Sequence, residues 1–131
     1  MASRWYPQTL SRRILDIAAF ADRIRFIEGD GLEILRDYHD RPGAVAFIDP
    51  PYPAAGKRVG ARLYRHSELD HDALFESVRR LPGDFLMTYD DTAELRERAA
   101  RFGFVAPAIP MKSTHHARMT ELLIGRDLCW A

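Results

Sequence analysis

The feature that most constrains the fold is a five-residue apolar run that ends abruptly at an acid and two prolines. Residues 44–48 are Ala-Val-Ala-Phe-Ile, and Asp49, Pro50, Pro51 and Tyr52 follow them directly. A short apolar run that stops at such residues predicts a buried β-strand that leads into a rigid turn. In open α/β sheets, functional groups collect beyond the carboxyl ends of the strands. The sequence therefore places a candidate site at the turn that begins with Asp49.

Apolar periodicity, capping residues and chain breakers divide the sequence into alternating helices and strands. The predicted helices are residues 9–21, 32–38, 67–81 and 92–102. The predicted strands are residues 24–28, 44–49, 85–89, 104–111 and 120–124, of which the last two form an antiparallel pair. Ser67 is the expected cap of the third helix, with Asp70 at the capping-box position. The alternation predicts an α/β fold with a mostly parallel sheet.

Length and charge bound the classes of function. With 131 residues, the chain has the length of one domain that buries a core. Its formal net charge is zero, so bulk charge does not indicate a nucleic-acid partner. Two stretches, residues 51–66 and 102–120, nevertheless contain basic residues and no acid, which suits contacts with phosphates. For any single arginine in them, ordinary solvated surface is the better interpretation.

Cysteine usage, hydropathy and ligand spacing exclude further classes. Cys129 is the only cysteine, which excludes an intrachain disulfide framework and favours a reducing, cytoplasmic compartment. No apolar run reaches membrane-spanning length, and no signal peptide is visible. Residues 66–72 are dense in metal-type ligands, but acids at a helix start are better explained by the helix dipole. His115, His116 and Cys129 lack zinc-site spacing, so no metal is expected.

The string Asp49-Pro50-Pro51-Tyr52 at the end of a strand resembles the catalytic motif of S-adenosylmethionine (SAM) dependent amino-methyltransferases, especially those that act on N6 of adenine. Further stretches fit in the same order: residues 26–30, 62–66, 85–89 and 118–124. From about residue 9 to residue 124, the chain is similar to the C-terminal part of D12-class DNA adenine methyltransferases, which include Dam-like and many prophage-encoded enzymes. The resemblance implies a Rossmann-like SAM-dependent methyltransferase sheet within a single, partial catalytic domain over residues 1–131.

The resemblance gives each residue of the motif a role. An adenine amino group is a weak nucleophile, and two acceptors on its N–H bonds would pull the nitrogen towards a tetrahedral geometry that can attack. Asp49 supplies one acceptor, and the backbone carbonyl of Pro50 supplies the second. Pro51 fixes that carbonyl, because proline restrains the residue before it, and Tyr52 offers a face for stacking on the base. The alternative is an acid-capped turn after a core strand, with a packing tyrosine.

Cofactor and nucleic-acid contacts follow from the same resemblance. Asp30, Gly31 and Asp49 are the expected SAM contacts, since Asp30 lies where the family has a carboxylate against the adenosyl part. A turn residue between two glycines is an equal alternative for Asp30. DNA is the expected partner, and its adenine must leave the duplex to reach Asp49. The expected nucleic-acid contacts are Lys57, Arg58, Arg62, Tyr64 and Lys112. Packing of Tyr64 and plain exposure of Lys112 are the alternatives.

The sequence departs from the family in the segment that binds SAM. Its eight glycines form no G-x-G-x-x-G or Phe-x-Gly-x-Gly string, so the loop that cradles the methionine end of SAM has no counterpart. We therefore expect an N-terminally truncated sheet with an exposed apolar edge, and a missing N-terminal half or a homodimer partner that covers it. The alternatives to an active DNA enzyme are an inactive remnant, one half of a split methyltransferase, and an RNA adenine methyltransferase.

Overall fold

The computed structural model describes residues 6–51, 69–112 and 118–129. Within them, the helices are α1 (Pro7–Ala18), α2 (Gly31–Arg36), α3 (His71–Arg79) and α4 (Ala93–Arg101), and a 3-10 turn spans Ala21–Arg23. The strands are β1 (Ala46–Ile48), β2 (Phe85–Asp90), β3 (Ala108–Lys112) and β4 (Arg118–Ile124). In this part of the chain, no helix combines the length and the apolar character needed to cross a membrane.

The four strands form one sheet in the order β1-β2-β4-β3. β1 runs parallel to β2, whereas β4 is antiparallel to both β2 and β3. The predicted late antiparallel pair is therefore confirmed. The prediction of a mostly parallel sheet is wrong for the described residues, because the return strand β4 inserts between β2 and β3. The fold is α/β with a mixed sheet.

The core lies between one face of this sheet and side chains of α3 and α4. Burial alternates along β2, so that Phe85, Met87 and Tyr89 lie inside while the residues between them are partly exposed. The other members of the core cluster come from the helices, β4 and the loops: Leu74, Phe75, Val78, Leu81, Leu95, Ala99, Phe104, Leu122 and Ile124. Removal of these apolar side chains from water is the main stabilising contribution to the fold.

Capping residues set the starts of α3 and α4. The Asp70 carboxylate accepts from the backbone N–H of Ala73 at 2.9 Å, and Thr92 Oγ1 accepts from that of Leu95 at 3.2 Å. Each cap satisfies a first-turn N–H that has no partner within its helix. The predicted helix start at residue 67, with Asp70 in the capping-box position, is wrong because Asp70 itself is the cap. Ser67 lies outside the described residues.

Arg126 closes the C-terminal end of α3. Its guanidinium donates to the backbone oxygens of Leu81 and Gly83 at 2.6 and 2.7 Å. It also donates to those of Val78 and Arg79 at 3.2 and 3.0 Å. The last carbonyls of a helix have no partner within the helix. One side chain therefore satisfies several of them and fastens the segment after β4 to the end of α3.

Gly83 lets the turn before β2 pass close to the segment before β1. A β-carbon on Gly83 would lie 1.9 Å from the carbonyl oxygen of Ala44, a separation that no side chain tolerates. Just beyond this contact, the N–H of Ala46 donates to the carbonyl of Asp84 at 3.0 Å. The glycine thus allows β1 and β2 to start side by side.

Residues 24–28 are not a strand, contrary to the prediction from the sequence. The backbone at Ile24 is extended, but residues 24–28 pair with no strand in the described part of the chain. Phe26 is 86% exposed, and Ile24 and Ile27 are exposed as well. The apolar alternation is present in the sequence, but a strand also requires a neighbour that takes up its hydrogen bonds.

β1 is an edge strand, not the buried strand predicted from its apolar run. Only β2 lies beside it within the described residues. Ala46 and Ile48 pack against the core, whereas Val45 and Phe47, which alternate to the other face, are 78% and 68% exposed. A strand that is apolar on both faces is typical of a parallel sheet covered on both sides. Val45 and Phe47 thus form an exposed apolar surface at this edge of the described sheet, as expected.

Candidate active site

A cavity of about 740 Å³ opens at the carboxyl end of β1. It lies between the loop that leads into α2 and the turn that follows β1. Its lining residues are Gly29, Asp30, Gly31, Leu32, Ile34, Leu35, Phe47, Ile48, Asp49, Pro50, Pro51, Leu69 and Leu74. Mostly apolar walls with a few polar groups are typical of small-molecule sites.

Asp30 caps α2 and lines this cavity. Its Oδ1 accepts from the backbone N–H groups of Leu32 at 2.7 Å and Glu33 at 3.3 Å, which holds the carboxylate in place. A β-carbon added at the next residue, Gly31, would meet nothing within 4 Å. The two interpretations of Asp30, as a local turn residue and as a ligand contact, are compatible because the cap uses one carboxylate oxygen.

Asp49 directly follows β1 and has a defined partner on β2. Because Ile48 pairs with Met87 in the parallel register, Asp49 comes to lie beside Thr88. The Thr88 hydroxyl donates to Asp49 Oδ1 at 2.7 Å. Thr88 was not among the site residues predicted from the sequence. In the sequence, Thr88 is recognisable only as a hydroxyl residue near the end of an apolar strand. The strand register is needed to place it beside Asp49.

Pro50 and Pro51 form the start of the turn after Asp49. Pro50 is buried, Pro51 is half-buried, and both line the cavity. Proline fixes its own φ and restricts the residue before it, so this turn has little freedom to rearrange around a ligand. The structure thus brings the predicted motif residues Asp49, Pro50 and Pro51 into one cavity with the predicted cofactor contacts Asp30 and Gly31.

The predicted stacking tyrosine and most predicted nucleic-acid contacts lie outside the described residues: Tyr52, Lys57, Arg58, Arg62 and Tyr64. Lys112 ends β3, which β2 and β4 separate from β1. β3 runs parallel to β1, so Lys112 lies at the same end of the sheet as Asp49. The two backbones are three strand spacings apart, roughly 14 Å. The side chain of Lys112 lies outside the part of the chain that the structure describes.

His71, the first residue of α3, contacts the core through Tyr89. Its Nδ1 lies 2.9 Å from the hydroxyl of Tyr89, and the two rings meet edge to face with centroids 5.7 Å apart. Burial, together with the nearby charge of Arg98, lowers the pKa of His71 below its usual value. The fold therefore favours the neutral imidazole at this position.

Among the described residues, no group of three or more side chains could hold a metal ion. Asp70 caps α3, and Asp72 accepts from Arg98 at 2.9 Å. Two further members of the ligand-rich stretch, His66 and Glu68, fall outside the described part of the chain. The acids that the structure shows at this helix start thus serve capping and ion pairing.

Comparison with protein-family models gives no match for this chain. Among curated proteins, it is similar to the ribosomal RNA small subunit methyltransferase J of Stutzerimonas stutzeri (strain A1501), with 32% identity over 73 residues. The aligned stretch is 50% of this chain and 28% of that relative, so most of the relative's length lies outside it. The similarity supports a relationship to methyltransferases, and the mixed α/β sheet is compatible with a methyltransferase fold.

Proposed function

We propose that this chain carries the amino-group pocket of an adenine-N6 methyltransferase that uses SAM and acts on DNA. The observation that carries the proposal is the cavity in which Asp30 meets the turn formed by Asp49, Pro50 and Pro51. The relationship to a methyltransferase supports methyl transfer in general. The motif that begins at Asp49 supports an amino nitrogen as the methyl acceptor.

Asp49 and the backbone carbonyl of Pro50 act as the two acceptors for the amino group. Thr88 donates to Oδ1 of Asp49, which leaves Oδ2 to accept an N–H of the substrate. SAM, when bound, supplies the methyl group and leaves as S-adenosylhomocysteine. The attacking nitrogen then carries a positive charge, which both acceptors stabilise until the nitrogen releases a proton to water. Because the acceptors are in place beforehand, little reorganisation accompanies the reaction.

The cavity fits the adenosyl part of SAM in size and in chemistry. Pockets for ligands of this kind occupy about 300–1,000 Å³, and this one measures about 740 Å³. Leu32, Ile34 and Leu69 offer apolar walls to a flat ring, and Asp30 keeps one carboxylate oxygen for a hydroxyl or amino group. The sequence has no glycine string for the methionine end, so these residues hold one part of the cofactor.

A DNA substrate requires that the adenine leave the base stack, since a stacked base has no access to a cavity of this kind. The flipped base would enter beside Asp49. In this proposal, Tyr52 stacks on the flipped base, and the surrounding nucleic acid contacts the other residues predicted from the sequence: Lys57, Arg58, Arg62, Tyr64 and Lys112.

The decisive test is the substitution Asp49→Ala. We expect it to abolish radiolabelled methyl transfer from SAM to adenine-containing DNA, while the unfolding midpoint changes little because Asp49 is exposed. Asp84→Ala is the matched control, since Asp84 is an exposed acid at the opposite end of β2. Transfer by the Asp49→Ala chain at nearly the wild-type rate would overturn the proposal.

An RNA substrate is the second candidate, and the name of the curated relative favours it. That relative is a ribosomal RNA small subunit methyltransferase, and the Asp-Pro-Pro-Tyr string alone does not choose between DNA and RNA. A competition assay decides the question: the wild-type chain receives SAM, small-subunit ribosomal RNA and adenine-containing duplex DNA together. Label found in the RNA alone would replace DNA by RNA as the substrate.

One half of a split methyltransferase, or an inactive remnant, is the third candidate. The exposed apolar side chains of residues 24–28 and of β1 favour it, because a missing N-terminal half or a second copy of the chain would cover them. Calorimetric titration with SAM separates it from the first two candidates. Micromolar binding that Asp30→Ala removes would indicate a working pocket, whereas no binding at millimolar SAM would indicate an incomplete enzyme. Sedimentation of the free chain tests the homodimer.

A further inference from the structure

The hydrogen bond between Thr88 and Asp49 joins the candidate catalytic carboxylate to the neighbouring strand. The Thr88 hydroxyl donates to Oδ1 of Asp49 at 2.7 Å. We propose that Thr88 is a positioning residue, which orients the Asp49 carboxylate so that Oδ2 faces the amino group of the substrate. This inference rests on the function proposed above and extends it to a residue that lies outside the Asp-Pro-Pro-Tyr motif.

The geometry of two parallel strands explains how Thr88 does this. Ile48 and Met87 are paired in register, so the residues that follow them, Asp49 and Thr88, are side by side. The carboxylate torsion of aspartate is broad and only weakly restricted by its own backbone. A β-branched threonine on a strand is stiff at χ1. Thr88 therefore restricts the carboxylate torsion of Asp49, and Oδ1 of Asp49 already accepts a hydrogen bond before any substrate binds.

The surroundings of the contact favour a role in orientation over a role in stability. Asp49 is exposed and Thr88 is half-exposed, and a solvent-accessible hydrogen bond adds little to the net stability of a fold. β1 and β2 are already joined by their backbone ladder, which begins at Ala46. On β2, Thr88 interrupts an otherwise apolar stretch from Phe85 to Tyr89. A hydroxyl at this position thus contributes most through the carboxylate that it holds.

Three variants of the full chain test the inference. Thr88→Val removes the hydroxyl and keeps the branched shape, Thr88→Ser keeps the hydroxyl, and Thr120→Val is the control. Thr120 also donates to a carboxylate, that of Asp91, where it helps Arg96 to lower the pKa of that group. We expect Thr88→Val to lower kcat about 10- to 100-fold, as small misplacements of reacting groups do, with the KM for SAM within about twofold of wild type. We expect Thr88→Ser and Thr120→Val to stay within about threefold of the wild-type kcat.

A second readout does not depend on turnover. The side-chain carboxyl ¹³C resonance of Asp49, assigned through Asp49→Asn, should move in Thr88→Val and return in Thr88→Ser. If the wild-type chain transfers no methyl group but the resonance behaves in this way, the proposed function fails and the positioning contact stands. A resonance that does not move, or a Thr88→Val chain with wild-type kcat, would overturn the inference. If Thr88→Val does not fold, Thr88→Ala gives the same comparison without the added methyl group.

Discussion

Residues 6–28 and the region formed by residues 69–112 and 118–129 both supply large apolar side chains, but only the second buries them. Phe75 on α3 is 0% exposed, whereas Phe26 is 86% exposed. None of residues 6–28 is buried. The helix α1 carries as clear an apolar pattern as α3, but its Ile14, Leu15 and Ile17 are exposed.

The difference shows that local sequence signals and burial are separate requirements. An amphipathic pattern and a capping residue are enough to define a helix, but most helical stability in proteins comes from packing of the apolar face. Side chains of α3 pack into the core against the sheet, whereas those of α1 are exposed or, at Leu10, half-buried. We therefore expect the two regions to respond very differently to the same substitution.

The largest contrast should come from phenylalanine truncation. Phe75→Ala removes a fully buried ring from the core, and such substitutions cost about 3–5 kcal/mol of unfolding free energy. Phe26→Ala removes an exposed ring, and surface substitutions of this kind stay within about 0.5 kcal/mol. Urea unfolding of both variants measures the two values. A loss in Phe26→Ala close to that in Phe75→Ala would show that residues 6–28 are packed, which would remove the contrast.

A smaller effect is expected at Arg126, which holds the packed region together through backbone carbonyls. Arg126→Ala leaves those of Leu81 and Gly83 without their donor, and the loss of a charged hydrogen-bond partner costs about 1.5–3 kcal/mol. Arg80→Ala is the control, because Arg80 is exposed and its pair with Glu76 among the described residues is an i,i+4 pair, worth about 0.2–0.5 kcal/mol. Equal unfolding free energies for the two variants would contradict the role given to Arg126.

Two glycines should give effects of opposite sign. Gly103 ends α4 with φ at +76°, where alanine is strained, so Gly103→Ala should destabilise the chain by about 1 kcal/mol. Gly31 is the first residue of α2, and an added β-carbon there meets nothing within 4 Å. Gly31→Ala should therefore stabilise by about 0.4–1 kcal/mol, through the unfolded state and helix propensity. Thermal unfolding of both variants checks the signs, and a stabilised Gly103→Ala would contradict the assigned backbone conformation.

The smallest expected effect is a dependence of stability on pH through His71. Burial and the charge of Arg98 lower its pKa from the usual 6.5, with partial opposition from the charges of Glu94, Asp70 and Asp72. Just below pH 6.5, the unfolded chain therefore binds more protons than the folded one. The contribution of His71 to the unfolding free energy is then fully present above pH 6.5 and decreases as the pH drops below that value. Comparison of unfolding midpoints at pH 7.5 and 5.5 should show a shallower slope in His71→Asn. An unchanged slope would assign the dependence to other groups.

Much of the site is predictable from sequence because its signals are local. The strand that ends at Asp49, the prolines after it and the position of Asp30 beside a helix start all follow from short stretches. The α4 boundaries also follow closely, since Thr92 caps the helix and Gly103 terminates it. The contact of Thr88 with Asp49 spans 39 residues and depends on a register that no local pattern encodes.

The errors at residues 24–28 and at β1 have one physical cause. Both stretches carry strand-like apolar residues, which predicted a strand at residues 24–28 and a buried strand at residues 44–49. An apolar sequence pattern shows which side chains a segment could bury, whereas their actual burial depends on which other segments pack against it. β1 has a neighbour on one side only, and residues 24–28 have none in the described part of the chain. From the sequence alone, β1 is therefore predictable as a strand, but its edge position and the unpaired state of residues 24–28 in the described part of the chain are not.

The close approach at Gly83 has a consequence for how mutations in this chain would be interpreted. Its missing side chain permits the contact with Ala44 from which β1 and β2 run together towards Asp49 and Thr88. Any larger residue would displace one strand against the other and shift the two groups at the far end. A selection for activity would therefore reject substitutions at Gly83 as strictly as those at Asp49. Positions that tolerate no substitution in such a screen would therefore include residues that align the two strands as well as residues that take part in the reaction.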